Sequence, residues 1–167
     1  NKSTQEFIDN TLNPLFKNKS KVIGVSIRGT EYAIQKIVKD HYKPFDDVEA
    51  IKIIKERMNE FGYEYIYLST EQQEYYDAFQ AEFGDKLIAM DRKRYLQKDV
   101  ENLEFALEKK FDRKNDRYFT GLDYIADTEG LLRCDHIIGT LTNAFYYVII
   151  RNFELNNKLE LIDKGLH

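Results

Sequence analysis

Four short apolar runs in this 167-residue sequence end on residues able to meet an anion. Lys21 to Ile27 leads into Arg28-Gly29-Thr30-Glu31-Tyr32, and Tyr65 to Ser69 into Thr70-Glu71. Lys86 to Met90 leads into Asp91-Arg92-Lys93-Arg94, and Cys134 to Gly139 into Thr140-Leu141-Thr142-Asn143. An arginine can hold phosphate oxygens through two parallel hydrogen bonds, and a helix N-terminus offers free amides and a favourable dipole. Arg28, with Thr140, Thr142 and Asn143 ahead of a helix, therefore suggests a diphosphate site. Each residue also has a plainer use. Thr142 or Asn143 can simply cap a helix, Arg28 can pair with a structural carboxylate, and Glu71 can contact a nucleoside or merely suit a helix's first turn. His41, in a polar connection before Pro44, is a substrate contact, a general base or a surface histidine.

These residues matter together only if the chain brings the four runs to one edge. Hydrophobic periodicity alternates between short apolar runs and the i, i+3, i+4 spacing of amphipathic helices. Phe7, Ile8, Leu12, Leu15 and Phe16 mark an opening helix ending near Asn13-Pro14 or just after. Pro44-Phe45-Asp46-Asp47 gives a helix start with an Asp as N-cap, followed by Val48, Ile51, Ile54, Met58 and Phe61 as the buried stripe and Gly62 as the stop. A helix over Gln72 to Phe83 turns Tyr76, Phe79 and Phe83 inward. Later helices cover Gly121 to Arg133, through Leu122, Ile125 and Leu132, and Ala144 to Asn152, before a last strand over Leu159 to Ile162. Strands alternating with helices predict right-handed βαβ crossovers and a three-layer, Rossmann-like α/β domain with a mainly parallel sheet of about five strands. Ligands of such sheets collect outside the carboxyl ends of the strands, where the four candidate segments fall.

The length fits one domain, residues 1–167, with no linker to divide it. Residues 92–117 read as a charged insertion with a short helix through Leu103, Phe105, Leu107 and Phe111. It holds nine basic and six acidic side chains, a net of +3 in a chain of net charge -4, which leaves -7 elsewhere. That asymmetry would draw a nucleotide sugar toward the third strand end, although a solvated charged helix accounts for it equally well. The acidic balance argues against nucleic acid as a partner. One cysteine permits no internal disulfide and suits a reducing compartment, and Cys134 with His136 offers too few ligands for structural zinc. No run is long enough to span a membrane, and Asn1-Lys2-Ser3-Thr4 carries neither an initiator Met nor a leader pattern, so a piece of a longer protein is expected. No G-x-G-x-x-G follows the first strand, and there is no P-loop and no G-x-S-x-G elbow, which removes the usual supports for nicotinamide, ATPase and serine-hydrolase chemistry.

Val25-Ser26-Ile27-Arg28-Gly29-Thr30-Glu31 resembles the first motif of the fucosyltransferase superfamily that spans protein O-fucosyltransferases, α-1,6-fucosyltransferases and rhizobial nodulation enzymes. Tyr67-Leu68-Ser69-Thr70-Glu71 resembles its second signature, and Gly121-Leu122-Asp123 through Cys134-Asp135 to Thr140-Leu141-Thr142-Asn143 its third. The ordered set is most similar to bacterial members among polysaccharide-biosynthesis proteins. The resemblance implies the C-terminal, donor-binding half of a GT-B glycosyltransferase, with the N-terminal acceptor domain absent from this chain. It implies a nucleotide-sugar donor, GDP-fucose, a glycan or lipid-linked acceptor, no metal and no cofactor, in the cytoplasm or peripheral to the inner membrane. It assigns the diphosphate and leaving-group role to Arg28, the nucleoside contact to Glu71, and phosphate contacts to Thr140, Thr142 and Asn143. Ser26, Thr30, Glu31, Thr70 and Arg92 join them as donor-site candidates. Ser26 stands where the family has histidine and Glu31 where it has aspartate. A non-catalytic nucleotide-sugar-binding or structural domain, or another Rossmann-like nucleotide binder, is the alternative.

Overall fold

The computed structural model describes residues 2–29, 43–103, 109–141 and 143–165, with residues 143 and 144 described by backbone only. Helix α1 (Lys2–Phe16) precedes the central strand β1 (Val22–Ser26). Helix α2 (Asp47–Phe61) leads to β2 (Tyr65–Ser69), and α3 (Gln73–Phe83) leads through a 3-10 turn (Gly84–Lys86) to β3 (Leu87–Ile88). A single turn, α4 (Gln97–Val100), comes before the long helix α5 (Asp116–Leu132) and β4 (His136–Gly139). Helix α6 (Asn143–Leu155) and β5 (Lys158–Leu161) complete the order.

The five strands form one sheet in the order β3-β2-β1-β4-β5, with every pairing parallel. The chain winds outward from β1 through β2 to β3, then returns to β1's other side at β4. This reversal opens a crevice at the carboxyl ends of β1 and β4, where open α/β sheets bind ligands. All five residues of β1 are buried, as a strand covered on both faces requires. Ile23, Val25, Ile66 and Leu68 face Ala50 and Ile54 of α2 and Phe79 of α3. On the other face Val22, Tyr67 and Ile137 meet Leu131 of α5 and Phe145 and Val148 of α6. Helix α1 is the outermost piece, placing Ile8 and Leu12 against Ala126 and Met90. The expected three-layer parallel architecture is therefore the one observed.

Local signals act as their chemistry dictates. The Asp46 carboxylate accepts the Glu49 amide at 2.8 Å, and Gly62 closes α2 in the left-handed region (φ 72°) with its N–H on the Met58 carbonyl. Gly130 serves packing instead, because a Cβ there would overlap the Tyr67 ring, so its absence lets α5 lie close over β2.

Several expectations need correction. Val48 is 73% exposed, since at about 100° per residue it lies well off the arc defined by Ala50 and Ile54. Phe61 occupies the right face but in the last turn, where it lies half-open under the Lys158 ammonium, 3.1 Å from its ring centre. Ile125 points away from the side of α5 that carries Leu122, Ala126 and Leu131, and is exposed. The third strand, expected over Lys86 to Met90, shrinks to Leu87–Ile88, its first residue taken into the 3-10 turn Gly84–Lys86. Helix α5 starts at Asp116, ahead of the expected Gly121, and Arg113 bonds both Asp116 and Asp123 across its first turns. Leu103 and Phe111 pack around Tyr95 and Val100, while Phe105 and Leu107 lie outside the described residues.

His136 of β4 is fully buried, with its ring 5.6 Å from that of Tyr63 and Nε2 3.3 Å from a Glu160 oxygen. Arg57 grips that carboxylate with two hydrogen bonds of 2.8 and 2.7 Å. Burial lowers the His136 pKa from 6.5, with help from the Lys158 and Arg57 cations and opposition from Glu160. As pH falls, the unfolded chain takes up this proton first, so the stability linked to neutral His136 is complete above about pH 6.5 and declines below it. The urea midpoint should drop between about pH 6.5 and 5.5, and His136→Phe should flatten that slope. An unchanged slope in the variant would assign the acid sensitivity to other groups.

Candidate functional site

The β1–β2 register pairs Ser26 with Ser69, and the pairing runs one step further through the Ile27 amide on the Ser69 carbonyl at 3.0 Å. Arg28 and Glu71 each stand two residues beyond that last pair, so the two side chains meet. Arg28 Nη1 lies 3.1 Å from Glu71 Oε1 and donates to Oε2 at 3.3 Å, with both side chains nearly buried. The segment after β3 is stitched alongside, with the Tyr95 amide on the Glu71 carbonyl and the Gln73 amide on the Tyr95 carbonyl. This places Arg92 at the same edge.

Helix α5 supplies the counterpart. Tyr124 accepts a hydrogen bond from Arg28 Nη1 at 3.1 Å and donates its hydroxyl proton to Glu71. The guanidinium carbons of Arg28 and Arg92 lie 5.8 and 5.2 Å from the Tyr124 ring centre, so one aromatic ring serves two cations. One turn on, Asp127 forms an ion pair with Arg92 in which both side chains are almost fully buried, and it also accepts the Tyr67 hydroxyl at 3.2 Å. Arg94 stacks on Tyr76 at 4.3 Å and donates to the Met90 carbonyl.

Burial opposes charge on Arg92, Arg94, Tyr67, Tyr124 and Asp127. It lowers the Arg94 pKa and pushes both tyrosines up, Tyr67 with help from Asp127 and Tyr124 with help from Glu71, so each hydroxyl keeps its proton as a donor. For Arg92 the Asp127 and Glu71 carboxylates outweigh burial and the guanidinium is held protonated, whereas for Asp127 burial raises the pKa against the pull of Arg92. These directions oppose each other across one contact. The arginine decides the matter, since a guanidinium does not surrender its proton and a buried cation demands its anion.

Around this cluster, Ser26, Arg28, Thr70, Arg92, Tyr124 and Asp127 line a cavity of about 20 Å³, enough for one water molecule. Ser26, Thr70 and Thr140 are all buried at the strand ends, and the Thr70 hydroxyl accepts the Gln72 amide at 3.3 Å. Thr30, Glu31, His41 and Thr142 lie outside the described residues, and Asn143 begins α6. Of the sequence candidates, then, Ser26, Arg28, Thr70, Glu71, Arg92 and Thr140 gather at one edge. Tyr124, Asp127 and Tyr67 are the members that sequence reasoning missed. Asp127 had a readable signal, because it falls on the apolar side of α5 with Leu131 and Ala126, where a carboxylate needs a partner.

Asp127→Ala should destabilise the chain by about 3–5 kcal/mol, by leaving Arg92 buried without its anion. The double variant with Arg92→Met should recover most of that loss in chemical denaturation. If the two losses simply add, the pair is not coupled as described.

No family model matches the chain, and no curated protein matches it. Solved structures do share its fold. NodZ alpha-1,6-fucosyltransferase co-crystallized with GDP aligns at a TM-score of 0.54 and 16% identity, over 89% of this chain and 40% of that one. The same enzyme soaked with GDP-fucose gives 0.54 and 15%, over 89% and 41%. POFUT1 in complex with GDP aligns at 0.49 and 10%, over 96% and 45%, too loose a match to build on. The chain thus has a fucosyltransferase-like, Rossmann-like fold and spans about two-fifths of the length of the NodZ structures. Among the described residues, no helix is long and apolar enough to cross a membrane.

Proposed function

We propose that this chain is the donor-binding part of a glycosyltransferase, taking a nucleoside diphosphate sugar, GDP-fucose, and passing its sugar to a glycan or lipid-linked acceptor. The observation that carries the reading is Arg28, which stands just beyond the carboxyl end of the central strand, beside buried Ser26, Thr70 and Thr140. A second support is the fold shared with NodZ, which was crystallised with GDP and soaked with GDP-fucose. In this reading Arg28 offsets the charge that builds on the departing diphosphate as the sugar becomes oxocarbenium-like. Buried threonine hydroxyls add neutral donors, and the N-terminus of α6, which begins at Asn143, adds its dipole. The donor is a substrate, and the reading requires no resident cofactor.

One observation favours a second reading, a structural or non-catalytic binding domain: Arg28 already holds a carboxylate. Calorimetric titration with GDP, GDP-fucose, UDP, ADP and NAD separates the two. The transferase reading expects GDP and GDP-fucose to bind in preference to the others. In the intact enzyme it also expects Arg28→Ala to cost about 2–4 kcal/mol of transition-state stabilisation, read as a loss of kcat/KM. Absence of nucleotide binding would leave the structural role, and unchanged turnover in the variant would remove Arg28 from the chemistry.

A further inference from the structure

The site as it stands is occupied by its own side chains. Glu71 lies against the Nη1 edge of the Arg28 guanidinium, and the cavity that the two line holds about 20 Å³ among the described residues. A diphosphate cannot reach that guanidinium edge while the carboxylate holds it. We propose that Glu71 is the resident anion of this site, holding Arg28 in the unliganded protein and giving way to a donor phosphate on binding. This rests on the donor-binding reading above and deepens it, because it makes Glu71 a competitor of the ligand instead of a nucleoside contact.

The choice of Glu71 over the cluster's other carboxylate follows from burial and attachment. Asp127 is tied to Arg92 and to the Tyr67 hydroxyl, with exposures of 4% and 6% for the Arg92 and Asp127 side chains, and its departure would strand a buried cation. The Arg28 and Glu71 side chains are more open, at 14% and 8%. Glu71 also has somewhere to go, since α3 begins two residues later and its N-terminus carries no side-chain cap. Tyr124 stays in place through the exchange. Its hydroxyl bonds both Arg28 and Glu71, its ring lies against Arg92, and burial keeps it protonated, so the hydrogen bond it gives the carboxylate can be redirected to a phosphate oxygen while the proton stays on Tyr124. Tyr124 is thus a positioning residue for Arg28 and a prospective hydrogen-bond donor to phosphate. No bond is made or broken, and one anion replaces another on the same guanidinium.

The test is titration of the whole chain with inorganic pyrophosphate and with GDP, comparing the native protein with Glu71→Gln, whose amide can still accept from Arg28 while carrying no charge. Glu71→Gln should bind both ligands roughly tenfold more tightly, since the competent state no longer has to be freed from the carboxylate. The gain should vanish in Glu71→Gln combined with Arg28→Ala, a dependence that a general change in stability would not produce. If the native protein binds GDP and Glu71→Gln binds it equally or less well, the exchange is overturned while the donor site stands. If neither protein binds GDP or pyrophosphate, both are overturned. Should Glu71→Gln fail to fold, Glu71→Asp, one methylene short of Arg28, carries the same prediction of tighter binding, and weaker binding there overturns it.

Discussion

The buried ion pair between Arg92 and Asp127 is the contact on which the carboxyl edge of the sheet is built. A guanidinium that is 4% exposed is tolerable only with a carboxylate against it, and this one comes from α5, 35 positions further along the chain. The pair therefore fixes the segment after β3, at one edge of the sheet, against the middle of α5, the helix that leads to β4 on the other side of β1. Tyr124 then sits over Arg92, and with it the second pair, Arg28 and Glu71, has its shape. Gly130 belongs to the same constraint, because only a bare backbone there lets α5 close over Tyr67, whose hydroxyl completes the shell of Asp127.

This arrangement couples stability to function in a definite way. The inner pair is sealed and serves the fold, while the outer pair is nearer the surface and holds the residue that an anionic ligand would need. A parallel sheet delivers both to one place because all its strands end at the same edge. Glu71 and Asp127 offset the charges of Arg28 and Arg92 one for one, so the positive potential that the net charge of the insertion suggests is locally balanced at these two arginines. Binding an anion here is then a matter of exchanging partners on an arginine.

Much of this was legible in the sequence, and the rest was not for identifiable reasons. Asp46 and Gly62 announced the ends of α2 because caps are local chemistry. The alternation of apolar runs and helix spacing carried the sheet type, and the residues after each run marked the carboxyl edge of the sheet. Side-chain partnerships were harder, since Arg28 and Glu71 are 43 positions apart and meet only through the register of β1 on β2. Had that register been drawn, the equal offset of Arg28 and Glu71 from Ser26 and Ser69 would have put them side by side. Tyr124 gave no such signal. An aromatic residue on an amphipathic helix is ordinarily core, and its hydroxyl becomes informative only once α5 is known to cross the strand ends.

The most direct measurement of the central claim is side-chain NMR of the arginine guanidinium nitrogens in the intact chain, with GDP added stepwise. The account predicts that the Arg28 resonances shift as its partner changes from carboxylate to phosphate, while those of Arg92 stay where Asp127 holds them. Movement of Arg92 with Arg28 unchanged, or no movement at either under saturating GDP, would contradict it.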